Sequence, residues 1–540
     1  MASAAAEPNR VWLDGVAGSL GQIRVANLTS AQCVGITTVV VLVSLLFRFA
    51  SPQIDPREPP AVKPSIPVVG HIVGLVRHGV DYFEALRKSQ RKPVAAATLP
   101  MLNGKVYVLW DTPMIHSAMR HKNLTFDVLA MEFAQRVFGL SNLAMEKLWG
   151  PDHDIETSAA GITMQRIKAA MQGQYLHRMN VTALDYIADH LNDMDSDGLK
   201  IDNLYKWLLY FMTTATSEGL YGKDNPIRQD PSLVDALWEF EGNMQPLFLG
   251  IIPKLIARKA YVNREKVMAA LVPWYMSKKD EAPDTAEVLK VRARTAREFG
   301  FPEEEIGRLE MALLFVATTN TIPTLYWFVT NVWLRPDVVE EIRRETLSLV
   351  KLSNREGGQR RLATLDISQL EGHAPVLVSC YRESIRLGNQ SIGTRRVVHD
   401  TVLTDSVGNQ HLFKAGVDVM WSVKAMHHSG DVWGQDPLEF DARRFKEQDK
   451  FDRAKKQSYI PFGGGKHLCP GRNFAFAENL GFVAALVIGF ELQGLDEANV
   501  RLGMSTIGEA VAKPPGDARG GAVVIKRRQG WEDVDWKFTC

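Results

Sequence analysis

The sequence has few cysteines and no excess charge of either sign. Only four cysteines occur in 540 residues, at positions 33, 380, 469 and 540, and their spacing matches neither a disulfide framework nor a CxxC metal site. The formal net charge of +1 gives no global attraction to nucleic acid. These absences exclude a disulfide-stapled secreted scaffold, argue against a nucleic-acid partner, and predict a reducing compartment for the folded part.

The sequence also lacks internal repeats, and it has one long apolar run with almost no charge, residues 31–50. At about 20 residues this run is just long enough to span a bilayer. A cleaved signal peptide is the alternative, but the apolar core begins late and no convincing small-residue cleavage site follows. We expect an N-terminal tail over residues 1–30 and a single transmembrane anchor over residues 31–50, with Arg48 and Arg57 on its cytosolic side.

A proline-rich linker follows over residues 51–67, and its stiffness holds a folded body at a fixed distance from the membrane. Within that body, Val94–Leu99 and Val106–Trp110 are predicted to be strands joined by a turn that contains Asn-Gly, which is a hairpin signal. From Thr112 to about Ala296 the pattern is mostly helical.

A long apolar helix is predicted from Pro302 to Leu334. Its length of about 50 Å and its composition are typical of a helix that runs through the centre of a domain. Polar residues interrupt it at 318–321, and Pro323 removes a backbone donor, so we expect a local distortion there. This distortion is either a simple kink with satisfied hydroxyl groups or a widened groove that serves a site.

Cys469 lies in the most distinctive stretch of the chain, Pro461–Glu478. Three consecutive glycines precede the cysteine and allow the backbone to approach a flat ligand closely. An apolar helical run begins at Arg472, and the N-terminus of a helix favours a thiolate. A thiolate is a nucleophile or a metal ligand, and no histidine and asparagine pattern of a thiol hydrolase surrounds this one.

The spacing in this stretch resembles the haem-binding signature of the cytochrome P450 superfamily. The resemblance implies a mainly α-helical fold with a small β region, in which residues 68–540 form a haem-thiolate catalytic domain. It also implies a b-type haem whose iron is ligated by Cys469, and the thiolate's electron donation favours O–O cleavage. The residues expected to bind the cofactor here are Phe462, Gly465, His467, Cys469 and Gly471.

Other positions follow from the same resemblance. Glu383, Arg386 and Arg444 are expected to form a buried charge network on the haem side of the core, although an ExxR pair alone is also compatible with a weak surface ion pair. Arg395 is our first choice and Arg396 the second for binding a haem propionate, because a guanidinium suits a carboxylate. His467 occupies the position of another propionate-binding arginine. Ser391 and Ile392 are expected to line the substrate pocket.

The long helix departs from the family pattern at the site of oxygen activation. Thr319 stands for the usual acid and Asn320 for the usual threonine, followed by Thr321, and these three are the candidate catalytic residues. Phe315, Val316 and Ala317 are expected in the substrate pocket. This helix is similar to that of the branch with steroid 7α- and 12α-hydroxylases and prostacyclin synthase, which contains both oxygenases and an isomerase.

The resemblance implies a monooxygenase of fungal microsomal type in the endoplasmic reticulum membrane, with its catalytic domain in the cytosol. Its expected substrate is a lipophilic secondary metabolite of terpenoid, steroid-like or polyketide type. It would use O2 and electrons from NADPH–cytochrome P450 reductase, with cytochrome b5 as a further donor; local lysines and arginines near residues 446–466 form either a docking surface or a solvated face. The alternatives are a haem-thiolate isomerase or dehydratase that needs no external electrons, and a haem-binding sensor without turnover.

Overall fold

The computed structural model describes residues 53–64, 70–102, 104–150, 155–195, 197–250, 252–353, 360–503 and 508–540. The predicted tail and anchor, and parts of the predicted linker, lie outside the described residues. Among the described residues, one helical span, Glu303–Trp333, is long and apolar enough to cross a membrane. Of its most apolar stretch, 67% is buried inside the protein.

Helices dominate the described chain, as the sequence predicts. They are α1 Ile72–His78, α2 Asp81–Ser89, α3 Thr112–Arg120, α4 Asp127–Phe133, α5 Asn142–Trp149, α6 Ala159–Ala170, α7 Gly173–Asn192, α8 Leu204–Tyr221, α9 Pro226–Gln229, α10 Ser232–Asn243, α11 Pro253–Ile256, α12 Arg258–Met276, α13 Glu287–Glu298, α14 Glu303–Thr318, α15 Thr321–Trp333, α16 Pro336–Leu347, α17 Leu370–His373, α18 Pro375–Gly388, α19 Val423–His427, α20 Gly430–Trp433, α21 Arg453–Ser458 and α22 Arg472–Gly489.

The strands are short. They are β1 Ala96–Met101, β2 Gly104–Leu109, β3 Leu124–Thr125, β4 Leu199–Ile201, β5 Val350–Leu352, β6 Arg361–Asp366, β7 Ile392–Val397, β8 Thr401–Thr404, β9 Gln410–Phe413, β10 Asp418–Ser422, β11 Phe490–Gln493, β12 Val523–Arg527 and β13 Val534–Thr539.

The largest sheet has five strands in the order β1-β2-β10-β7-β3. β1 and β2 form the predicted hairpin, but the pairing extends to Met101 and Gly104 and leaves a two-residue loop. The predicted ends were therefore wrong by a few residues, because the predicted strands leave six residues between them whereas the observed pairing continues up to a two-residue loop. β7 pairs antiparallel with β10 in the middle of this sheet.

The long central helix is interrupted as predicted. α14 ends at Thr318 and α15 begins at Thr321. Pro323 lacks the N–H that would otherwise donate to the Thr319 carbonyl four residues earlier, which explains why the break lies at this turn. The regular bonding resumes where the Thr324 N–H donates to the Asn320 carbonyl at 3.3 Å.

α15 is buried along almost its whole length in the largest hydrophobic cluster, which α22 and α18 complete. At the chain's C-terminal end, β12 lies between β11 and β4, and β13 runs parallel to β6. The central helix therefore has the buried position that its composition predicts, with the cysteine loop and α22 packed on the same core.

Candidate active site

The loop that carries Cys469 is held in a defined turn before α22. The Gly463 N–H donates to the Ile460 carbonyl at 3.1 Å, and the Cys469 N–H donates to the Phe462 carbonyl at 3.1 Å. The guanidinium of Arg472, the first residue of α22, donates to the Cys469 carbonyl at 3.0 Å. Cys469 is thereby fixed directly before a helix N-terminus.

The residues around the cysteine pack closely. Gly465 has a φ of 65°, and a Cβ there would lie 2.3 Å from the Met119 carbonyl oxygen, so only glycine fits. A Cβ on Gly471 would lie 3.9 Å from Cys469 Sγ. Phe462 is partly buried against the largest core cluster. The predicted cofactor-binding spacing therefore corresponds to one compact loop.

The environment of Cys469 does not by itself produce a thiolate. Burial raises the pKa of the thiol, while backbone N–H groups of Gly471 and Arg472 and the Arg472 charge act in the opposite direction and are outweighed. The N–H groups at the helix N-terminus therefore act in the predicted direction, but desolvation of the sulfur has the larger effect on its pKa. Coordination to a metal ion deprotonates a thiol, so a bound metal ion would favour the thiolate form of Cys469.

Arg395 in β7 is a buried cation without a carboxylate partner among the described residues. It is 5% exposed, and its Nε has no hydrogen-bond partner. Its Nη atoms donate to the carbonyls of Thr394 at 2.7 Å and Gly464 at 3.4 Å, the latter in the cysteine loop. The Trp421 ring lies 5.5 Å from the guanidinium. Burial lowers the pKa of Arg395 to about 10, and the charge of Asp127, which forms no ion pair with Arg395 among the described contacts, only partly opposes this shift.

Arg396, the second choice for the same role, is already neutralised. Its guanidinium pairs with Asp418 on the adjacent strand and with Glu132 of α4 at 3.2 Å. Two consecutive residues of a strand point to opposite faces, which separates these environments. The contacts therefore favour Arg395 over Arg396 as an anion-binding residue.

His467 directs its ring toward the beginning of α4. Its Nε2 accepts from the Phe126 N–H at 3.4 Å, and its Nδ1 lies 3.5 Å from an Asp127 carboxylate oxygen. Burial lowers the pKa of His467 to about 4, so the ring is neutral at neutral pH. Its role toward a cofactor carboxylate stays a prediction, because both ring nitrogens face α4.

The structure brings Glu383, Arg386 and Arg444 together. Arg386 and Glu383 are fully buried and form two parallel bonds of 2.7 Å, and Arg444 Nε donates to Glu383 at 2.9 Å. Arg386 also donates to the carbonyls of His427 and Pro437, each at 2.6 Å. This is a buried network rather than a surface ion pair, so the loss of one partner is costly.

One face of α14 is open although the helix lies inside the protein. Val316 is 56% exposed and Asn320, four residues on, is also exposed, whereas Leu314 and Thr318 are buried. Residues four apart share a helix face, so Val316 and Asn320 face the same space. The substrate-pocket role of Val316 stays a prediction. Ala317 is partly buried against the second core cluster.

The hydroxyl groups near the helix break differ from the amide of Asn320 in their hydrogen bonding. Thr319 donates to the Phe315 carbonyl at 2.9 Å, and Thr321 donates to the Ala317 carbonyl at 3.1 Å. Among the described contacts, none is a hydrogen bond of the Asn320 side chain. Of the three candidate catalytic residues, Asn320 is therefore the one whose polar group is available to a ligand or water.

Phe315 belongs to an aromatic cluster that the sequence did not reveal. Its ring centroid lies 5.5 Å from Phe138, 5.8 Å from Phe240 and 6.4 Å from Phe133. A π-helix, Ala134–Phe138, follows α4 directly and brings rings spaced five apart onto one side. Phe133 and Phe138 are five residues apart, and this spacing could have indicated the cluster. Residues five apart do not share one face of an α-helix, however, so the sequence pattern did not predict the contact.

Ser391 and Ile392 are anchored rather than free. The Ser391 hydroxyl donates to Asn389 Oδ1 at 2.7 Å, and the Asn389 amide donates to the Pro461 carbonyl at 3.5 Å. Ile392 packs against the small cluster beneath β1 and β2. Asn389 was not among the predicted site residues, yet it joins the 389–392 segment to the cysteine loop.

The residues present fit a haem. A soft sulfur ligand, a glycine-lined backbone that allows close approach, and a buried guanidinium without a carboxylate lie on one loop and the strand beside it. The sulfur suits iron, and the guanidinium suits a propionate. The open face of α14 is apolar at Val316, which suits the flat macrocycle or an apolar substrate.

Comparison with known proteins gives the same answer. A family model described as cytochrome P450 matches residues 170–518. A cytochrome P450 monooxygenase of Gibberella zeae is 35% identical over 92% of this chain and 94% of its own length. The human 7-alpha-hydroxycholest-4-en-3-one 12-alpha-hydroxylase is 24% identical over 82% of this chain and 88% of its own length.

Among solved structures, retinoic acid bound cyanobacterial CYP120A1 superposes with a TM-score of 0.64 at 17% identity, over 88% of this chain and 100% of that one. This likeness shows the fold. The predicted resemblance to the steroid 12α-hydroxylase branch is confirmed by the human relative. The chain belongs to the cytochrome P450 family, and it is a monooxygenase-type oxidoreductase that uses haem iron with a cysteine thiolate ligand.

Proposed function

We propose that Cys469 is the thiolate ligand of the haem and that the enzyme inserts one oxygen atom of O2 into a lipophilic small molecule. The observation that carries this proposal is the buried guanidinium of Arg395, which lacks a carboxylate and donates into the loop that holds Cys469. When bound, the haem supplies O2 activation, and the thiolate donates electron density to the iron. Phe462, Gly465 and Gly471 give the loop its shape, and Arg395 holds a propionate.

The proposed substrate is a fungal secondary metabolite with a terpenoid, steroid-like or polyketide scaffold. The open face of α14 and the cluster around Phe315 offer apolar and aromatic contacts. A fungal monooxygenase and a steroid 12α-hydroxylase among the relatives support a rigid apolar scaffold. Val316 and Ala317 would contact the substrate, and Ser391 and Ile392 are proposed to line the same pocket.

Asn320 is proposed to hold ordered water for proton delivery. It cannot itself supply protons at neutral pH, and the Thr319 and Thr321 hydroxyls are bonded to the helix backbone. Replacing Asn320 by alanine should therefore uncouple O2 consumption from product formation. Thr319→Val is the matched control, because its hydroxyl already bonds within the helix; equal coupling in the wild type and Asn320→Ala would contradict this role.

The electrons are proposed to come from NADPH–cytochrome P450 reductase, with cytochrome b5 as a second donor. A surface groove of about 600 Å³ in the segment before the cysteine loop is lined mainly by basic side chains, with Glu447 and Asp452 among them. The basic side chains include Arg443, Lys446, Lys450 and Lys455. Some are paired locally, as Lys450 is with Glu447 at 2.7 Å, so a docking acidic protein would compete with these contacts.

The protein is proposed to be a single-pass protein of the endoplasmic reticulum membrane, with residues 31–50 as anchor, 51–67 as linker and 68–540 as the cytosolic catalytic domain. Large apolar side chains are exposed on short helices at the edge of the folded body. They include Val73 and Val76 of α1 and Leu255 and Ile256 of α11. Exposed apolar groups of this kind suit contact with a membrane surface.

A second candidate function is a haem-thiolate isomerase or dehydratase, which the missing acid at Thr319 favours. Product formation from candidate scaffolds, measured with and without NADPH and reductase, distinguishes the two. Strict dependence on NADPH supports the monooxygenase, and full activity without electrons overturns it. A sensor without turnover is contradicted by any product.

The assignment of Cys469 as the iron ligand is tested separately. Cys469→Ala should lose the thiolate-type carbon monoxide difference spectrum, and retention of that spectrum would overturn the assignment.

A further inference from the structure

His427, at the end of α19, contacts the buried charge network through its backbone. Its carbonyl accepts from Arg386 Nη1 at 2.6 Å, and the same guanidinium forms the two parallel bonds to Glu383. His427 is completely buried. The position of its backbone is therefore set by the network.

The ring of the same residue contacts the cysteine loop. His427 Nε2 lies 3.2 Å from the backbone nitrogen of Ile460. A backbone N–H only donates, so Nε2 must be the acceptor, and the neutral ring carries its proton on Nδ1. Burial lowers the pKa of His427 to about 3, so this tautomer persists across the physiological pH range. Nδ1 has no partner in the described structure, which shows that the ring is not held by a second bond.

Ile460 is the point at which the cysteine loop begins to turn. Its carbonyl accepts from the Gly463 N–H, and the loop closes where the Cys469 N–H donates to Phe462. The ring of Tyr459, directly before Ile460, stacks on His427 with centroids 5.5 Å apart. One side chain therefore holds both the N–H and the neighbouring ring at the start of the loop.

We infer that His427 is a positioning residue, which joins the Glu383–Arg386 network to the Cys469 loop and thereby fixes the sulfur relative to the haem. The inference rests on the proposed function, because it takes Cys469 as the iron ligand. The Nε2 bond to Ile460 is the part of this connection that a side-chain substitution removes, since the carbonyl contact to Arg386 belongs to the backbone.

The test compares His427→Phe with His427→Gln in the full-length, haem-loaded protein. Phenylalanine keeps the aromatic stack on Tyr459 but removes the acceptor, and glutamine restores an acceptor oxygen near the position of Nε2. In His427→Phe we expect the Ile460 amide to exchange with deuterium about tenfold faster, because a buried N–H loses its partner. We also expect a smaller fraction of the thiolate-type carbon monoxide spectrum and a shifted haem reduction potential. His427→Gln should recover all three.

His428→Phe is the matched control, since its ring bonds the Leu387 carbonyl at 3.2 Å and does not touch the cysteine loop. It should lower stability without changing Ile460 exchange or the reduction potential. A His427→Phe protein with the exchange, spectrum and potential of the wild type would overturn the inference. A wild-type protein that lacks the thiolate-type spectrum would instead overturn the proposed function, so the two failures are distinguishable.

Discussion

At the scale of single residues, the contrast between Arg395 and Arg396 carries the most information. Both were candidates for a propionate from the sequence, which places them side by side. In the folded strand, Arg396 pairs with Asp418, whereas Arg395 is buried without a carboxylate partner. A buried charge of this kind persists when a ligand supplies its counterion. The choice between them therefore depended on the facing strands, which sequence spacing does not reveal.

We predict that Arg395→Met weakens haem retention while the haem-free protein keeps its stability or gains some. Charged hydrogen bonds contribute about 1.5–3 kcal/mol, so the haem should dissociate roughly ten- to a hundredfold more readily. Haem transfer to an acceptor protein measures the first effect, and chemical denaturation of the haem-free protein measures the second. Arg396→Met should show the reverse, because it leaves Asp418 and Glu132 without their cation. Equal haem loss in both variants would contradict this prediction.

At the scale of elements, the break between α14 and α15 determines where Asn320 points. Pro323 withholds the N–H that would pair with the Thr319 carbonyl, and Asn320 is exposed at the turn that opens. The sequence predicted this distortion. It did not predict which polar side chain would remain free, because that depends on bonds of the Thr319 and Thr321 hydroxyls to the preceding turn.

We predict that Pro323→Ala lengthens the continuous helix and lowers the coupling of O2 consumption to product. The new N–H can pair with the Thr319 carbonyl, which rotates Asn320 away from its present position. Coupling is measured as product formed per O2 consumed, and amide exchange at residues 320–324 should slow. Pro336→Ala is the control, since that proline begins α16 and replaces no internal bond. Slower exchange with unchanged coupling would separate the helix break from catalysis.

At the scale of the whole molecule, the buried network around Glu383 joins α18 to the segment that precedes the cysteine loop. Glu383→Gln should lower the free energy of unfolding by about 3–5 kcal/mol, because it leaves Arg386 and Arg444 without their anion. Urea denaturation of the haem-free protein checks this value. Glu371→Gln removes an exposed pair with Arg382 and should cost less than about 1 kcal/mol. Similar losses of unfolding free energy in the two variants would show that the buried network stabilises the protein no more than an exposed ion pair does.

A second whole-molecule prediction concerns pH. Burial raises the pKa of Glu478, on α22, from 4.5 to about 8. The native state then binds this proton more tightly than the unfolded chain, so its stabilising contribution is complete below pH 4.5 and is lost as the pH rises toward 8. The loss approaches about 1.4 kcal/mol per pH unit. Glu478→Gln should flatten the stability profile between these values, measured by denaturation at a series of pH values, and an unchanged slope would contradict the assignment.

The sequence by itself determined the cysteine loop, the candidate network residues Glu383, Arg386 and Arg444, the mainly helical class and the distortion at Pro323. These features depend on local rules: glycine for a tight turn, proline for a broken helix, and side-chain types at fixed spacing. Only the tertiary structure decided that Arg395 lacks a carboxylate partner, that Asn320 is the free polar group, and that the His427 ring contacts Ile460, 33 residues further along the chain. Such decisions depend on contacts between distant segments and on desolvation, and neither can be read from local spacing.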